Sequence, residues 1–378
     1  MGKQQSSMES MVNMKNLFGG IYQGKKVLVT GFTGFKGSWL VQWLKLLGAD
    51  VSGYALSAPS DPSHYSLLKT DITECIADVR DAKALSDFIE EIKPEIVFHL
   101  AAQALVRESY SNPSETFSTN VMGTLNVYES CRKTSSVGAI VNITSDKCYE
   151  NKEWIWGYRE NDPMGGFDPY SASKGCAEIL TSSFRNSYFN LNEYKKSHHL
   201  LLASARAGNV IGGGDWATDR LIPDMIRAAS LNNSVQIRNP KATRPWQHVL
   251  EPLSGYLTLG WRLLEERMEF ADGWNFGPDL QSNLSVEDIV YTSQMYWDKI
   301  QVNYSSDKSE HHEANLLMLD CSKANKLLKW KSVWDIETTL GKTISWYKKL
   351  YSEGSVVTLQ DIDNYVVSAQ DANLIWTL

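Results

Sequence analysis

The sequence predicts an α/β fold: a doubly wound parallel sheet with helices on both faces and a smaller C-terminal α/β lobe. Three observations predict it. Short β-branched apolar runs alternate with stretches of helical period as far as about Ala205. The first of these runs ends in a glycine cluster that opens a helix. Beyond Ala205 the texture shifts to loops, short strands and a stretch rich in Trp and Tyr.

Met1 to Met14 is polar and lacks the apolar segment of a leader, so residues 1–20 are expected to form a flexible tail. Lys26 to Thr30 (KVLVT) reads as a strand, and Phe35 to Leu47 repeats apolar residues at helical spacing. Val51 to Leu56, Glu95 to Leu100 and Ala139 to Thr144 read as further buried strands. Helical patterns lie between them at Ala82 to Ile92 and Ser114 to Lys133. Asp219 to Leu231 reads as a helix, Ser234 to Arg238 as a strand, and Asn275 to about Leu350 as mixed. The expected division is a cofactor domain over 21–205, with returning segments near 240–278. A second lobe takes 206–240 and 279–355, and 356–378 forms a C-terminal tail.

Composition narrows the function. A chain of 378 residues that is 43% hydrophobic can bury a large core. Lys plus Arg number 37 against 44 Asp plus Glu, a net charge of −7, so nothing global draws nucleic acid or an anionic membrane. Any anionic ligand must be held by local groups. The five cysteines are odd in number and show no CxxC spacing, which argues against a disulfide framework or zinc site and fits a cytoplasmic chain. His311-His312-Glu313 reads as a loop, because adjacent histidines do not easily share one ion, and no metal is expected. No apolar run approaches the ~18 residues of a membrane span.

Two constellations carry chemistry. Gly31-Phe32-Thr33-Gly34-Phe35-Lys36-Gly37 spaces glycines three apart between a strand and a helix. Such a turn brings backbone amides to a pyrophosphate at the helix start, the Rossmann arrangement for a dinucleotide. Lys36 is either a further phosphate contact or a solvated lysine. The second strand ends Gly53 to Ser57 without Arg or Lys, which argues for NAD over NADP. Asp78-Val79 is placed to meet the adenine edge or is a plain loop. The second constellation joins Tyr170 and Lys174, at i and i+4 on one helix face, with Ser145-Asp146-Lys147 after the fifth strand. A nearby ammonium is expected to lower the phenol pKa, so that Tyr170 takes a proton from a sugar hydroxyl. Ser145 would hydrogen-bond that hydroxyl, and Asp146 and Lys147 supply an acid and a base.

On these residues the chain resembles the extended short-chain dehydrogenase/reductase family, from Gly24 to about Lys349. The resemblance rests on VTGFTGFKGSWL (Val29 to Leu40), HLAAQALVRESY (His99 to Tyr110), SDKCYEN (Ser145 to Asn151) and PYSASKGCAE (Pro169 to Glu178). ARAGNVIGGGDW (Ala205 to Trp216), RPWQHVLEPLSGY (Arg244 to Tyr256), WNFGP (Trp274 to Pro278) and HEANLLMLDCSKA (His312 to Ala324) extend it. Within the family it is most similar to the nucleotide-sugar 4,6-dehydratases, and Asp146-Lys147, where dTDP-glucose members carry Asp-Glu, points to the CDP-glucose branch. A 4-epimerase or a dehydratase of another nucleotide sugar is the alternative.

The resemblance implies NAD as cofactor and internal hydride transfer from C4 to C6 of the hexose. It assigns Tyr170 to the C4 hydroxyl, Lys147 to the C5 proton and Asp146 to the departing C6 hydroxyl. It places Leu100, Ala101, Ala102, Gln103 and Asn120 along the cofactor, and Arg107, Asn209, Arg238, Arg244 and His248 along the substrate. It further implies a homodimer or tetramer, assembled through the helices at Ser114 to Lys133 and Tyr170 to Phe189. Phe32 departs from the His usual in the glycine turn.

Overall fold

The computed structural model describes residues 13–237, 239–279, 282–304 and 316–378. Seven parallel strands form the central sheet: β1 (Lys26–Thr30), β2 (Asp50–Ala55), β3 (Thr73–Ile76), β4 (Ile96–His99), β5 (Ala139–Ile143), β6 (Leu201–Arg206) and β7 (Gly273–Asn275). Their order is β7-β6-β5-β4-β1-β2-β3. The chain winds outward from β1 to β3, then returns to lay β4 on the other side of β1. The crevice of such a sheet opens at that reversal, beyond the carboxyl ends of the strands.

Both faces of the sheet are covered, which is why its strands read as continuous apolar runs. Alternate residues feed two cores. Val27 and Val29 of β1, and Val141 and Ile143 of β5, join one; Leu28 and Ile140 join the other. The second core is closed by helices α2 (Ala82–Ile92), α3 (Gly123–Lys133) and α4 (Pro169–Asn186). The first is closed by α1 (Phe35–Leu46) and by α5 (Leu250–Leu264). The helix expected over Ser114 to Lys133 is interrupted by a π turn at Ser118–Met122. A buried ion pair, Arg206 to Glu178 at 2.7 Å, ties β6 to α4.

The second lobe is assembled from short pairs. Val210–Ile211 runs parallel to Gln247–His248, Thr243–Pro245 antiparallel to Asn283–Ser285, and Ser234–Ile237 parallel to Gln301–Tyr304. Arg238 and the His311-His312-Glu313 triplet lie outside the described residues.

Both expected tails need correction. Within 1–20, Met14–Gly20 forms a 3-10 segment whose Leu17 and Phe18 are buried. Within 356–378, α6 (Ile336–Glu353) is followed by α7 (Thr358–Asp371), and Trp376 is fully buried. The Phe18 and Trp376 rings stack at 5.0 Å, edge-on to Trp43 of α1. Neither segment carries a clear period, so its burial is visible only once the distant partner is in place. Inside α5, the fully buried Glu251 accepts from the backbone amides of Val333 and Trp334 and from the Tyr365 hydroxyl of α7. Burial pushes that carboxyl up to about 7.

Candidate active site

The glycine turn lies between the ends of β1 and β4. Gly31 has φ +72, and a Cβ on it would lie 2.7 Å from the Ala101 amide nitrogen. A Cβ on Gly37 would lie 2.2 Å from the Gly31 carbonyl oxygen. Gly34 caps α1 without any side-chain acceptor, so no side chain of the N-cap satisfies the first-turn amides. A bare helix start reached through a turn that excludes side chains fits a dinucleotide diphosphate. Thr30 Oγ1 accepts from the amides of Leu100 and Ala101 and bonds His99 Nδ1, fastening the two strand ends together.

Several expected cofactor contacts have other work. The Phe32 ring is buried edge-on to Tyr65 and against Gly53, where a Cβ would come within 2.6 Å of it. Only its backbone belongs to the turn. Thr33 donates its hydroxyl to the Leu56 carbonyl. Asn120, in the π turn, accepts from the Gln103 amide and donates to Gln103 O and Ser173 Oγ. Both amide hydrogens are engaged, so Asn120 braces the loop after β4 against α4. Asp78 holds Arg80 through its carboxylate, and its carbonyl accepts from Tyr54. Val79 packs beneath, in the second core.

The catalytic candidates converge at the end of β5. Ser145 caps the 3-10 turn Asp146–Cys148, accepting from the Lys147 amide at 3.2 Å and donating to Asp146 Oδ1 at 2.9 Å. Asp168 caps α4 by accepting from the Ser171 amide, with Pro169 in the first turn. This cap fixes the first turn of α4, and the Tyr170 phenol lies beside Ser145. The expected effect of Lys174 on that phenol is not found. Burial pushes Tyr170 up to about 12, and the neighbouring cation that lowers it is Arg220. Lys174 instead directs Nζ to the Ile143 carbonyl at 3.4 Å, and burial lowers it to about 8. Lys36 also turns inward: burial and the cations Arg220 and Lys174 lower it to about 8, with Asp146 and Asp215 opposing.

Asp146 is 2% exposed and its Oδ2 has no hydrogen-bond partner among the described residues. Gly208 makes room for it, because a Cβ there would meet Oδ2 at 1.9 Å. Gln247 donates to Gly208 O and Phe276 O, and its Oε1 is buried and unpartnered. A cavity of about 20 Å³ lies between these groups, lined also by Pro245, Met318 and Leu319. Such a volume accommodates about one water.

The expected substrate residues divide. Asn209 adopts φ +48 beside Gly208 and buries an unpartnered Nδ2. Arg244 donates to the Thr243 carbonyl in the strand that also supplies Pro245. Arg107 pairs with Asp219 at 3.1 Å, next to Arg220. His248 is a correction: it is fully buried between Trp39 and Trp334, and burial lowers it to about 3. On a strand, neighbouring residues face opposite ways, so Gln247 faces the cavity and His248 the core. Arg220, Gly208 and Gln247 were not anticipated. Strand parity in RPWQHV is a signal for Gln247; Arg220 carries no motif, and it arrives through the loop that pairs it with Asp215 at 2.9 Å.

Comparison with known proteins places this geometry. The chain is 55% identical over 330 residues to the CDP-glucose 4,6-dehydratase of Salmonella typhimurium LT2, covering 86% of this chain and 91% of that one. It is 24% identical to the dTDP-glucose 4,6-dehydratase of Shigella flexneri, covering 85% and 92%. Among solved structures, epimerase Mth375 of Methanothermobacter thermautotrophicus superposes with TM-score 0.77 at 23% identity, covering 90% of this chain and 96% of that one. DesIV, a dTDP-glucose 4,6-dehydratase of Streptomyces venezuelae with NAD and TYD bound, superposes with TM-score 0.72 at 21% identity, covering 86% and 97%. At those identities the two superpositions establish the fold. A family match runs over residues 28–343, from the first strand into α6, and so takes in the whole crevice: the chain belongs to the family described as GDP-mannose 4,6 dehydratase.

Proposed function

We infer that the protein is an NAD-dependent hydro-lyase that converts CDP-glucose to CDP-4-keto-6-deoxyglucose. The observation that carries this reading is the 55% identity to a CDP-glucose 4,6-dehydratase across 91% of that enzyme's length. The phenol, hydroxyl and carboxylate gathered at the end of β5 suit the chemistry.

The bare start of α1 and the turn Gly31–Gly37 would hold the cofactor diphosphate, and Lys174 would lie toward its nicotinamide. When bound, NAD supplies the hydride acceptor for C4 and the hydride donor for C6. Tyr170, as its phenolate, receives the proton of the C4 hydroxyl, and the neighbouring cation that favours that anion is Arg220. The C4 ketone acidifies C5, and Lys147 takes the C5 proton. Asp146, aimed by the Gly208 clearance, protonates the C6 hydroxyl as it leaves. Asn209 and Arg244 lie along the nucleotide-sugar path, where an unpartnered amide and a guanidinium suit hydroxyl and phosphate oxygens.

The helices Pro113–Lys133 and α4 expose Phe117, Met122 and Ile179, with Tyr188 just beyond the end of α4, an apolar face suited to a second copy of the chain. We propose a dimer on this face and a cytoplasmic location. All five cysteines are unpaired, and no helix among the described residues is long and apolar enough to cross a membrane. The test of function is incubation with CDP-, dTDP-, UDP- and GDP-glucose, read by the alkali-induced absorbance of a 4-keto-6-deoxy sugar. Product from CDP-glucose alone is expected. Turnover confined to another nucleotide, or a 4-epimer as sole product, refutes the reading.

A further inference from the structure

Loss of water from C6 of CDP-glucose, the reading on which this inference rests, creates a molecule that the site must accommodate. Before elimination the C6 oxygen carries one hydrogen. As the C6–O bond breaks, its electron pair stays on oxygen and the proton from Asp146 forms a second O–H bond. The departing molecule is water, with two hydrogens to donate. One points back to the carboxylate that supplied it. The other grows more acidic as its oxygen gains the proton, so an acceptor placed for it stabilises the transition state more than the bound sugar.

We propose that Gln247 is that acceptor, and that the cavity between Gln247, Gly208 and Asp146 receives the departing water. Its volume of about 20 Å³ is that of about one water. Its lining residues carry two buried oxygens without a hydrogen-bond partner among the described residues, Asp146 Oδ2 and Gln247 Oε1. The other carboxylate oxygen, Oδ1, already accepts from the Ser145 hydroxyl at 2.9 Å, which leaves Oδ2 for the sugar.

The Gln247 amide is held one way round. Nε2 donates to Gly208 O and to Phe276 O, both at 3.1 Å. The reverse orientation would set Oε1 against two carbonyl oxygens, so Oε1 is fixed as an acceptor. Acid and acceptor share one frame: Gly208 leaves room for Oδ2, its carbonyl orients the amide, and the Gln247 N–H donates to Asn209 O. Potential donors in the lining are engaged elsewhere, the Asn283 amide at Met318 Sδ and the Gly277 N–H at Cys321 Sγ. Two free acceptors suit a ligand that donates twice, as water does and a C6 hydroxyl does not.

The test compares two leaving groups. CDP-glucose loses its C6 oxygen as water, whereas CDP-6-deoxy-6-fluoroglucose loses fluoride, which has no hydrogen of its own to donate. Borohydride quenching of single turnovers on the NAD-loaded enzyme reads how fast the 4-ketohexose loses its C6 substituent. For Gln247→Met, similar in length but without the acceptor oxygen, the ratio of the hydroxyl rate to the fluoro rate is expected to fall by about tenfold or more, the scale of one lost hydrogen bond. A disturbed loop slows both substrates and cancels in the ratio. Gln247→Glu, which keeps an acceptor oxygen, should recover most of that ratio. A methionine variant within about threefold of the wild-type ratio, or equal losses in both variants, overturns the proposal. Should the variants not fold, a high-resolution crystal structure of the wild type decides: a water bridging Asp146 Oδ2 and Gln247 Oε1 is expected, and a dry cavity or an amide with Nε2 turned inward overturns it. Failure of the wild type to make any 4-keto-6-deoxy product would instead sink the reaction assignment.

Discussion

Replacing Gly208 by alanine puts a methyl group where the Asp146 carboxylate already lies. The new Cβ would stand 1.9 Å from Oδ2 and 2.1 Å from Cγ, whereas ordinary contact begins near 3.4 Å. Something must yield by about 1.5 Å. The loop around residue 208 is held: Gly208 O accepts from the Gln247 amide group, and Asn209 O from the Gln247 backbone N–H. The acid should therefore move, and it leaves Ser145 as it does. A displacement of ~1 Å can cost on the order of 10²-fold in rate, or about 2.7 kcal/mol of barrier. The Gly208→Ala enzyme should show kcat lowered by about a hundredfold or more. The loss should fall on elimination, because Tyr170 and Lys174 stay in place. Borohydride quenching should trap the 4-ketohexose, accumulating ahead of the deoxy product. Product formation within about threefold of wild type, with the fold intact by circular dichroism, would refute the view that this glycine sets the position of the acid.

Further outcomes are expected elsewhere. Gly37→Ala drives a Cβ to 2.2 Å from the Gly31 carbonyl, so titration calorimetry should show NAD affinity down by at least about tenfold; an unchanged Kd contradicts the diphosphate cradle. Arg206→Met strands the buried Glu178 carboxylate and should lower unfolding free energy by about 3–5 kcal/mol, with Glu178→Leu in the same chain recovering most of it. Glu251 is an acid raised by burial from 4.5 to about 7, so the native state retains a proton that the unfolded chain has released. Its stabilising contribution is complete below about pH 4.5 and is lost as pH rises through about 7, roughly 3 kcal/mol in all. Urea titrations of Glu251→Gln should therefore fall less steeply across that window, though not flatten, since Asp361 is raised to about 6 in the same way. Identical slopes for variant and wild type count against it.

What was legible in the sequence is what is decided locally. KVLVT followed by spaced glycines declares strand, turn and helix within about a dozen residues, and the structure has all three. The same holds for Pro169 to Lys174, where cap and spacing fix both side chains to one helix face. Reading failed where long-range packing decides. Reaching 3.4 Å from the Ile143 carbonyl, Lys174 meets the backbone of β5 rather than the phenol, a matter of rotamer and not of spacing. His248 drew attention as a titratable group, yet its parity on a two-residue strand turns it toward Trp39 and leaves Gln247 at the cavity. Gly208 looks like any loop glycine until the carboxylate it clears is in view.

The stacking of Phe18 on Trp376 has a bearing on biosynthesis. On a ribosome elongating at ~5–20 residues per second, roughly 20–70 s separate the appearance of these two rings. Throughout that interval Phe18, and the Trp43 edge of the helix that begins at the glycine turn, lack their cover. The nascent polypeptide thus presents an aromatic surface of the kind that holding chaperones bind, and the cofactor half acquires its full rigidity only after the distal helix has docked.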